Sequence, residues 1–368
     1  MSKEIVPRRY SISIVVLFML GSSLFIGVTG KSGNSNWVAI LIAIAFAVPL
    51  MFMYARLHTL FPGLDLFDML IAFYGKLAGK IISCLYIWYA LHLGSLVLRN
   101  FGEFTRTVAL TETPMIVPLL FIGMLCTSVV RAGLEVLGRT ANFLLIFSLI
   151  VIIIVGFLSV PGFHYHHLLP LLDPGWTPIF GDALGVFTFP FAEIVLFLGA
   201  YHSISDKESA YKILLPGLLI AGTVILIISL RNLLVLGPNI LTGLYFPSYV
   251  AVSRINIGNF LTRIEGSSAI IFVTALLIKV SICLYVTSNG IAKVFNFKSY
   301  RSVVFQMALI MVYLSIFIFK DIFEMEHFAI VTYKYYALPF QVVIPVILWV
   351  TAEWINRKGN KKQLSSQS

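Results

Sequence analysis

A proline and a carboxylate interrupt the apolar run from Thr188 to Leu198. Pro190 lacks a backbone N–H donor and clashes with the preceding turn, so we expect it to break a helix. Glu193 places a negative charge where a bilayer tolerates almost none, and Lys279 does the same with a positive charge. If these runs cross a membrane, a broken and charged span indicates a binding site.

The composition predicts an integral membrane protein. The chain is 59% hydrophobic and 11% charged, and its mean hydropathy of +0.95 lies well outside the range of a soluble domain. Its net charge of +10 is scattered between apolar runs rather than gathered into a patch, which argues against a nucleic-acid partner. The basic residues are better interpreted as topology signals.

Windows of about 20 apolar residues, the length that crosses a hydrocarbon core, predict a single polytopic membrane domain over 1–368. Helices are expected because lipid offers no partner to exposed backbone groups, and the runs lack the alternating polarity of barrel strands. The ten predicted spans are approximately 10–30, 37–56, 80–99, 113–131, 140–160, 182–201, 212–231, 267–290, 301–319 and 337–356.

Lys and Arg are concentrated in the tails and alternate loops on one side, which predicts that both termini are cytoplasmic. On that side, residues 63–80 have the periodicity of a short amphipathic helix at the interface. The tail 357–368 is basic and then rich in Ser and Gln, so we expect it to be disordered. On the opposite side, glycine and proline in 232–266 predict short helices across the outer mouth.

The first span is also interrupted in its middle, because two glycines and two serines lie between Gly21 and Gly27. The first and sixth spans occupy equivalent places in two halves of five, and five is odd, so the second half must run with inverted topology. Paired interruptions in corresponding helices of an inverted repeat indicate a substrate site at the membrane midplane. The predicted fold is an all-α, LeuT-type five-plus-five inverted repeat with broken spans 1 and 6.

This fold predicts a ligand site built from both interruptions. An alternative is that the small residues only allow close helix packing, and that the phenylalanines face lipid. The candidate ligand-binding residues are Gly21, Ser22, Ser23 and Gly27 in the first span, and Phe187, Phe189, Pro190, Phe191, Ala192 and Glu193 in the sixth.

Lys279 is the second intramembrane charge and a candidate gating residue. In LeuT-type proteins a cation commonly lies between the broken first span and the eighth, held by carbonyls that the unwound helix releases. Lys279, in the predicted eighth span, could supply that positive charge. The alternative is a direct pair with Glu193, and the sequence leaves both open.

Motifs of soluble enzymes are absent, so we predict that the protein is not an enzyme and needs no cofactor. The three cysteines lie far apart in apolar spans and resemble small buried hydrophobes. A cluster of His164, His166 and His167 has side chains that can bind a transition metal, but polar residues at an outer interface are the simpler interpretation, and we predict no metal site.

Four landmarks occur in order along most of the chain: the run from Phe189 to Glu193, the 63–80 segment ending Tyr-Gly-Lys-Leu-Ala-Gly-Lys, the stretch from Phe246 to Glu265, and Ser-Asn-Gly at 288–290. Together they resemble the B subunit of the spore germinant receptors, a branch of the amino acid–polyamine–organocation superfamily. The resemblance implies a protein of the bacterial spore inner membrane that senses a nutrient such as an amino acid. It also implies partnership with an A subunit and a lipoprotein C subunit.

Our primary hypothesis is therefore a receptor subunit that binds a small nutrient where spans 1 and 6 are broken and signals by changing conformation. A rival from another class is a stand-alone amino-acid transporter of the same fold, coupled to H⁺ or Na⁺. A third possibility is a scaffold subunit that binds no ligand.

Overall fold

The computed structural model describes residues 6–23, 30–200, 210–255 and 264–365, with side chains described as far as residue 358. The regular structure in these ranges is helical. The α-helices are α1 Arg8–Leu20, α2 Asn36–Leu60, α3 Leu66–Phe104, α4 Ile116–Ala132, α5 Leu134–Ser159, α6 Trp176–Val186, α7 Tyr211–Leu236, α8 Pro238–Leu241, α9 Pro247–Ser253, α10 Glu265–Val294, α11 Val304–Phe317, α12 Ile322–His327, α13 Tyr333–Leu338 and α14 Ile344–Ser365.

Short turns of tighter or wider helix extend several of these elements. The 3₁₀ turns are Gly33–Ser35, Val160–Gly162, Tyr165–Leu168, Ala192–Gly199 and Tyr300–Ser302, and the π-helical turns are Thr105–Ala109, Phe187–Phe191, Phe328–Thr332 and Pro339–Val343.

Within the described ranges, seven helical stretches are long and apolar enough to cross a membrane. Helices α4 and α11 are shorter apolar helices, and α1 stops at the interruption of the first span. The chain is thus a multi-pass helical membrane protein, as its composition predicts. The number of ten spans and the cytoplasmic position of both termini stay predictions.

Helix α10 forms the centre of the bundle. Its residues from Lys279 to Gly290 are all buried, and it packs against α1, α3, α4 and α5. Helix α10 carries polar side chains such as Lys279 and Asn289, which need partners on neighbouring helices because lipid offers none. Helix α1 packs on α5, α7 and α10, so the interrupted first span lies against the central helix.

The predicted interfacial helix at 63–80 and the predicted third span are one kinked element in the structure. The Asp65 carboxylate caps the start of α3 by accepting a hydrogen bond from the Asp68 N–H. The helix then continues to Gly75, where φ of 79° and ψ of 176° break it. The part before this kink is helical, as predicted, but Leu66 and Phe67 are fully buried instead of lying half-exposed on the bilayer surface. The break between the two parts lies at Gly75, five residues before the approximate boundary predicted at residue 80.

Helix α14 continues through Ser365, into the tail 357–368 for which disorder is the prediction. The basic residues of this stretch are good helix formers, and Lys358 lies over the Trp354 ring at 3.5 Å one turn earlier. On the other side, α8 and α9 are the short helices that the 232–266 segment predicts.

The kink in α3 yields a test of packing. A Cβ on Gly79 would lie 2.5 Å from the Leu70 carbonyl oxygen and 2.6 Å from the Ile71 Cα, both backbone atoms. We expect Gly79→Ala to lower the free energy of unfolding by about 1–3 kcal/mol, since the kinked segment must move away. The measurement is the thermal midpoint of the purified protein in detergent.

Gly156→Ala is the matched control, because a Cβ there meets nothing within 4 Å. It should be neutral or stabilising by about 0.5–1 kcal/mol, as expected for glycine replacement inside a helix. Equal midpoints for the two variants would contradict the close packing of the kink.

Candidate functional site

The first helix is interrupted at Gly21. Its N–H closes the last turn of α1 onto the Leu17 carbonyl at 2.8 Å, and its φ of 21° and ψ of −124° then turn the chain out of the helix. Ser23 donates to the Leu20 carbonyl at 2.7 Å. The Ser22 hydroxyl is buried and has no hydrogen-bond partner in the described part of the chain. Gly27, the fourth candidate of this span, lies outside the described residues.

The second interruption lies at Pro190, as predicted. Helix α6 ends at Val186, and Phe189 leaves the helical region with φ of −136° and ψ of 109°. A cis peptide bond joins Phe189 to Pro190, and a 3₁₀ helix follows from Ala192. The Thr188 carbonyl, freed by this break, accepts from the Gln341 side-chain amide at 2.8 Å.

An ion pair joins the second interruption to α10. The Lys279 ammonium on α10 bonds the Glu193 carboxylate, and both side chains are fully buried. Tyr333 donates to the other carboxylate oxygen at 2.5 Å. The structure therefore has the direct pair that the sequence left as one of two alternatives.

The same lysine also lies against the break in the first span. A Cβ built on Gly21 would collide with the Lys279 side chain and would lie 3.3 Å from its Nζ. The ammonium is 5.3 Å from the ring centroid of Phe18 and 4.8 Å from that of Phe189. Aromatic faces attract a cation, so Lys279 is held among the first, sixth and eighth spans at once.

A chain of neutral polar groups continues from this pair. Tyr333 and Tyr89 have hydroxyls 3.2 Å apart, and Gln341 donates to the Tyr89 oxygen at 2.8 Å. Gln341 also receives support through its backbone carbonyl, which accepts from the Tyr54 hydroxyl. Its side-chain oxygen is buried and, in the described part of the chain, accepts no hydrogen bond.

The sequence did not predict this network of hydrogen-bonded polar groups, because only formally charged residues were sought within the spans. Tyr333 lies in α13, ahead of the predicted tenth span, and Gln341 lies in the π-helical turn Pro339–Val343. Such turns are frequent at functional sites, because one extra residue redirects the side chains around it. A glutamine inside an otherwise apolar span was the available signal.

The predicted aromatic lining is buried. Phe187 is 8% exposed and Phe191 is 0% exposed, so neither faces lipid. Phe189 is partly buried and meets the Tyr333 ring edge-on at a centroid distance of 6.1 Å. Ala192 is fully buried beside Glu193. The alternative of lipid-facing packing is therefore wrong for Phe187 and Phe191.

Two further ionic clusters lie away from the pair. In the first, Arg99 bonds Glu103 at 2.9 Å and donates to the Ile316 carbonyl at 2.7 Å, while Arg106 bonds the other oxygen of Glu103 at 3.1 Å. The sequence scan overlooked Arg99 and Glu103 because the predicted third span ended at residue 99. The helix continues to Phe104, so both are buried charges of a span.

The second cluster lies where α3 begins. Lys293 bonds Asp65 at 2.7 Å and also bonds Asp68, and Asn289 donates to Asp65 at 2.8 Å and to the Gly199 carbonyl at 3.2 Å. Burial raises the pKa of the Asp65 carboxyl, and the charge of Lys293 opposes that rise. This cluster ties α3, α10 and the end of the sixth span together.

The three histidines at 164, 166 and 167 lie close together in the structure. The rings of His166 and His167 approach to 4.4 Å between centroids. No group of three metal-binding side chains with the geometry to hold an ion occurs among the described residues. His167 instead approaches the Leu234 carbonyl at 3.1 Å, which anchors the loop to α7.

Solved structures of similar shape are transporters. Mhp1, a nucleobase-cation-symport-1 family transporter, in a closed conformation with bromovinylhydantoin bound, matches with a TM-score of 0.72 at 13% identity, over 95% of this chain and 78% of Mhp1. MhsT in complex with L-phenylalanine matches with a TM-score of 0.60 at 15% identity, over 96% of this chain and all of MhsT. The fold is of the LeuT type, as predicted.

Sequence relatives confirm the predicted family. Spore germination protein KB of Bacillus subtilis (strain 168) is 28% identical over 99% of this chain and 98% of its own length. Spore germination protein YndE of the same organism is 24% identical over 95% of this chain and 96% of its own length. The family model described as spore germination protein matches residues 6–324. The chain therefore belongs to the permease-like family of spore germination proteins.

Proposed function

We propose that this protein is the nutrient-sensing membrane subunit of a spore germinant receptor. Its ligand site is the junction of the two broken spans, and it acts in the spore inner membrane with an A-type subunit and a lipoprotein C-type subunit. The observation that carries this proposal is the position of the Glu193–Lys279 pair, which lies where both helices are interrupted, in a chain of the spore germination family.

The charges of this junction suit a zwitterion. An amino acid carries one carboxylate and one ammonium, so it can replace a protein–protein ion pair by two protein–ligand pairs without changing the net charge of the site. Ser22 and Gln341 add a buried hydroxyl and a buried amide oxygen that need partners. The substrate class we propose is therefore an amino-acid-type nutrient, with Glu193 facing its ammonium and Lys279 its carboxylate.

Separation of the pair is the proposed signal. Lys279 contacts the broken first span and Glu193 belongs to the broken sixth, so a ligand between them moves these two elements relative to α10. A ligand shifts an equilibrium only through its different affinity for the two states, and here the lost pair and the gained contacts supply that difference. In the unliganded protein, Lys279 also provides the charge that a bound cation supplies in other proteins of this fold.

A stand-alone transporter coupled to H⁺ or Na⁺ is the second candidate, and the solved transporters of the same fold favour it. The deciding experiment offers single amino acids to dormant spores of a deletion strain and measures labelled uptake in growing cells. Loss of one nutrient response with normal uptake is the expected result. Normal germination to every nutrient with lost uptake would contradict the receptor.

A pair of charge variants tests the ion pair. Lys279→Met or Glu193→Gln alone leaves a buried charge without its partner, which should lower the free energy of unfolding by about 3–5 kcal/mol. The double variant should recover most of that loss, because neither charge remains. Thermal midpoints in detergent measure the stability, and spores carrying each variant at equal abundance measure the nutrient response.

We expect the double variant to fold but to respond to no nutrient, or to respond without one. A double variant with the wild-type dose response would show that the pair only holds the helices together. Lys293→Met, which removes a partly buried paired charge away from the junction, is the control, and it should leave the choice of nutrient unchanged.

The close approach at Gly21 gives the second test. A leucine there would occupy the space of the Lys279 side chain and take a backbone conformation that side chains rarely adopt. We expect Gly21→Leu to raise the nutrient concentration for half-maximal germination by at least about tenfold, which corresponds to ~1.4 kcal/mol of binding free energy. Gly185→Leu on α6 is the control, since a Cβ there meets nothing within 4 Å. Wild-type sensitivity in the Gly21 variant at matched abundance would exclude this position from the site.

A further inference from the structure

An apolar groove runs between α5 and α7 on the outside of the bundle. It encloses about 630 Å³ and is lined from Leu149 to Phe163 on one wall and from Val224 to Leu234 on the other. Two of its lining residues face outward, since Ile153 is 57% exposed and Phe157 is 74% exposed. In a membrane protein such a surface faces lipid rather than water.

One charged side chain lines this groove. This side chain is Arg231, which is only 7% exposed, and it is therefore a buried charge within a membrane-spanning helix. Among the lysines and arginines in the described part of the chain, two others are at least as buried, and each has a carboxylate, since Arg99 bonds Glu103 and Lys279 bonds Glu193. Among the residues that the structure describes, no carboxylate forms an ion pair with Arg231.

The guanidinium of Arg231 is held in place on one edge. Its Nη2 donates to the Asn232 side-chain oxygen at 2.7 Å, with Nε at 3.3 Å from the same atom. The Asn232 amide in turn donates to the Ser248 hydroxyl on α9 at 3.0 Å. The amide contributes no charge, so the cation is positioned but not neutralised. Its Nη1 makes no hydrogen bond within the described ranges.

We propose that this groove binds a phospholipid with a net negative headgroup, whose phosphate meets Arg231 and one of whose acyl chains lies along α5 and α7. A planar guanidinium bonds phosphate oxygens in pairs, and the desolvated site strengthens that attraction. The α-helical part of this wall, from Leu149 to Ser159, is about 15 Å long at 1.5 Å per residue. One leaflet of a ~30 Å hydrocarbon core needs about 15 Å of that length.

The position of the charge along the helix agrees with this orientation. Arg231 lies five residues before Leu236, the last residue of α7, which places it about 7.5 Å from the end of the helix. Most of the α7 wall, from Val224 to Leu230, lies on the side of Arg231 that is toward the middle of this helix. A lipid in its leaflet has its headgroup near the helix end and its acyl chains directed toward the middle of the membrane. The groove is separate from the junction of the broken spans.

The test uses the full-length protein, purified in mild detergent and titrated with phosphatidylglycerol or phosphatidylcholine of identical chains under native mass spectrometry. We expect one phosphatidylglycerol to bind at least about tenfold more tightly than phosphatidylcholine, because only the former brings a net charge. Arg231→Gln should abolish that preference. Arg231→Lys should keep part of it, since the charge remains but the paired donors are lost.

Gly156→Leu tests the groove without touching the arginine. Gly156 lines the groove and has nothing within 4 Å of a built Cβ, so a leucine projects into the path of the acyl chain and should lower lipid retention severalfold. Gly181→Leu on α6, where a Cβ also meets nothing, is the control and should leave retention unchanged.

Three results would overturn the proposal. Equal binding of the two lipids by the wild type, or unchanged retention in both Arg231→Gln and Gly156→Leu, would mean that only unspecific lipid surrounds the protein. Displacement of the lipid by millimolar glycerol 3-phosphate would assign the site to a free phosphate. If Arg231→Gln fails to fold, loss of phosphatidylglycerol from Gly156→Leu with retention by Gly181→Leu decides in favour of the lipid.

Discussion

The architecture depends on keeping two opposite charges paired inside a bilayer. Each ion loses several kcal/mol of hydration on burial, so Glu193 and Lys279 are tolerable only at a fixed short distance and with further hydrogen bonds. Tyr333 supplies one of those bonds. The residue at 21 must be a glycine because the lysine stem fills the space of its side chain. The break at Pro190 leaves a freed carbonyl that Gln341 satisfies. The sixth span, α10, α13 and α1 are thus positioned by one electrostatic requirement.

The sequence was sufficient for the features that violate the rules of a membrane span. A proline, two glycines and two isolated charges in apolar runs stand out in any reading, and they predicted the LeuT-type fold and the two breaks. The family followed from short landmarks in the right order. These features are local, so no knowledge of packing was needed to see them.

Features that depend on packing could not be read in the same way. Tyr333 and Gln341 are neutral, and a span that is apolar overall does not reveal which of its faces meets a neighbour. Arg99 was taken for a flanking residue because hydropathy windows cannot distinguish the end of a span from a helix that continues with a paired charge. The kink of α3 depends on the contact of Gly79 with Leu70, nine residues apart, which no helical periodicity encodes.

The cluster of Asp65, Lys293 and Asn289 bears on the nutrient concentration at which the proposed receptor would respond. Moving a two-state protein from 1% to 99% of its active form takes a ligand that favours that form by roughly 10⁴-fold. Contacts remote from a pocket enter that balance as fully as contacts within it. For the receptor proposed above, the bonds of Lys293 and Asn289 on α10 to Asp65 at the start of α3 would contribute to the threshold nutrient concentration, while the pocket would set the choice of nutrient. Sensitivity and selectivity would then be free to diverge separately among relatives.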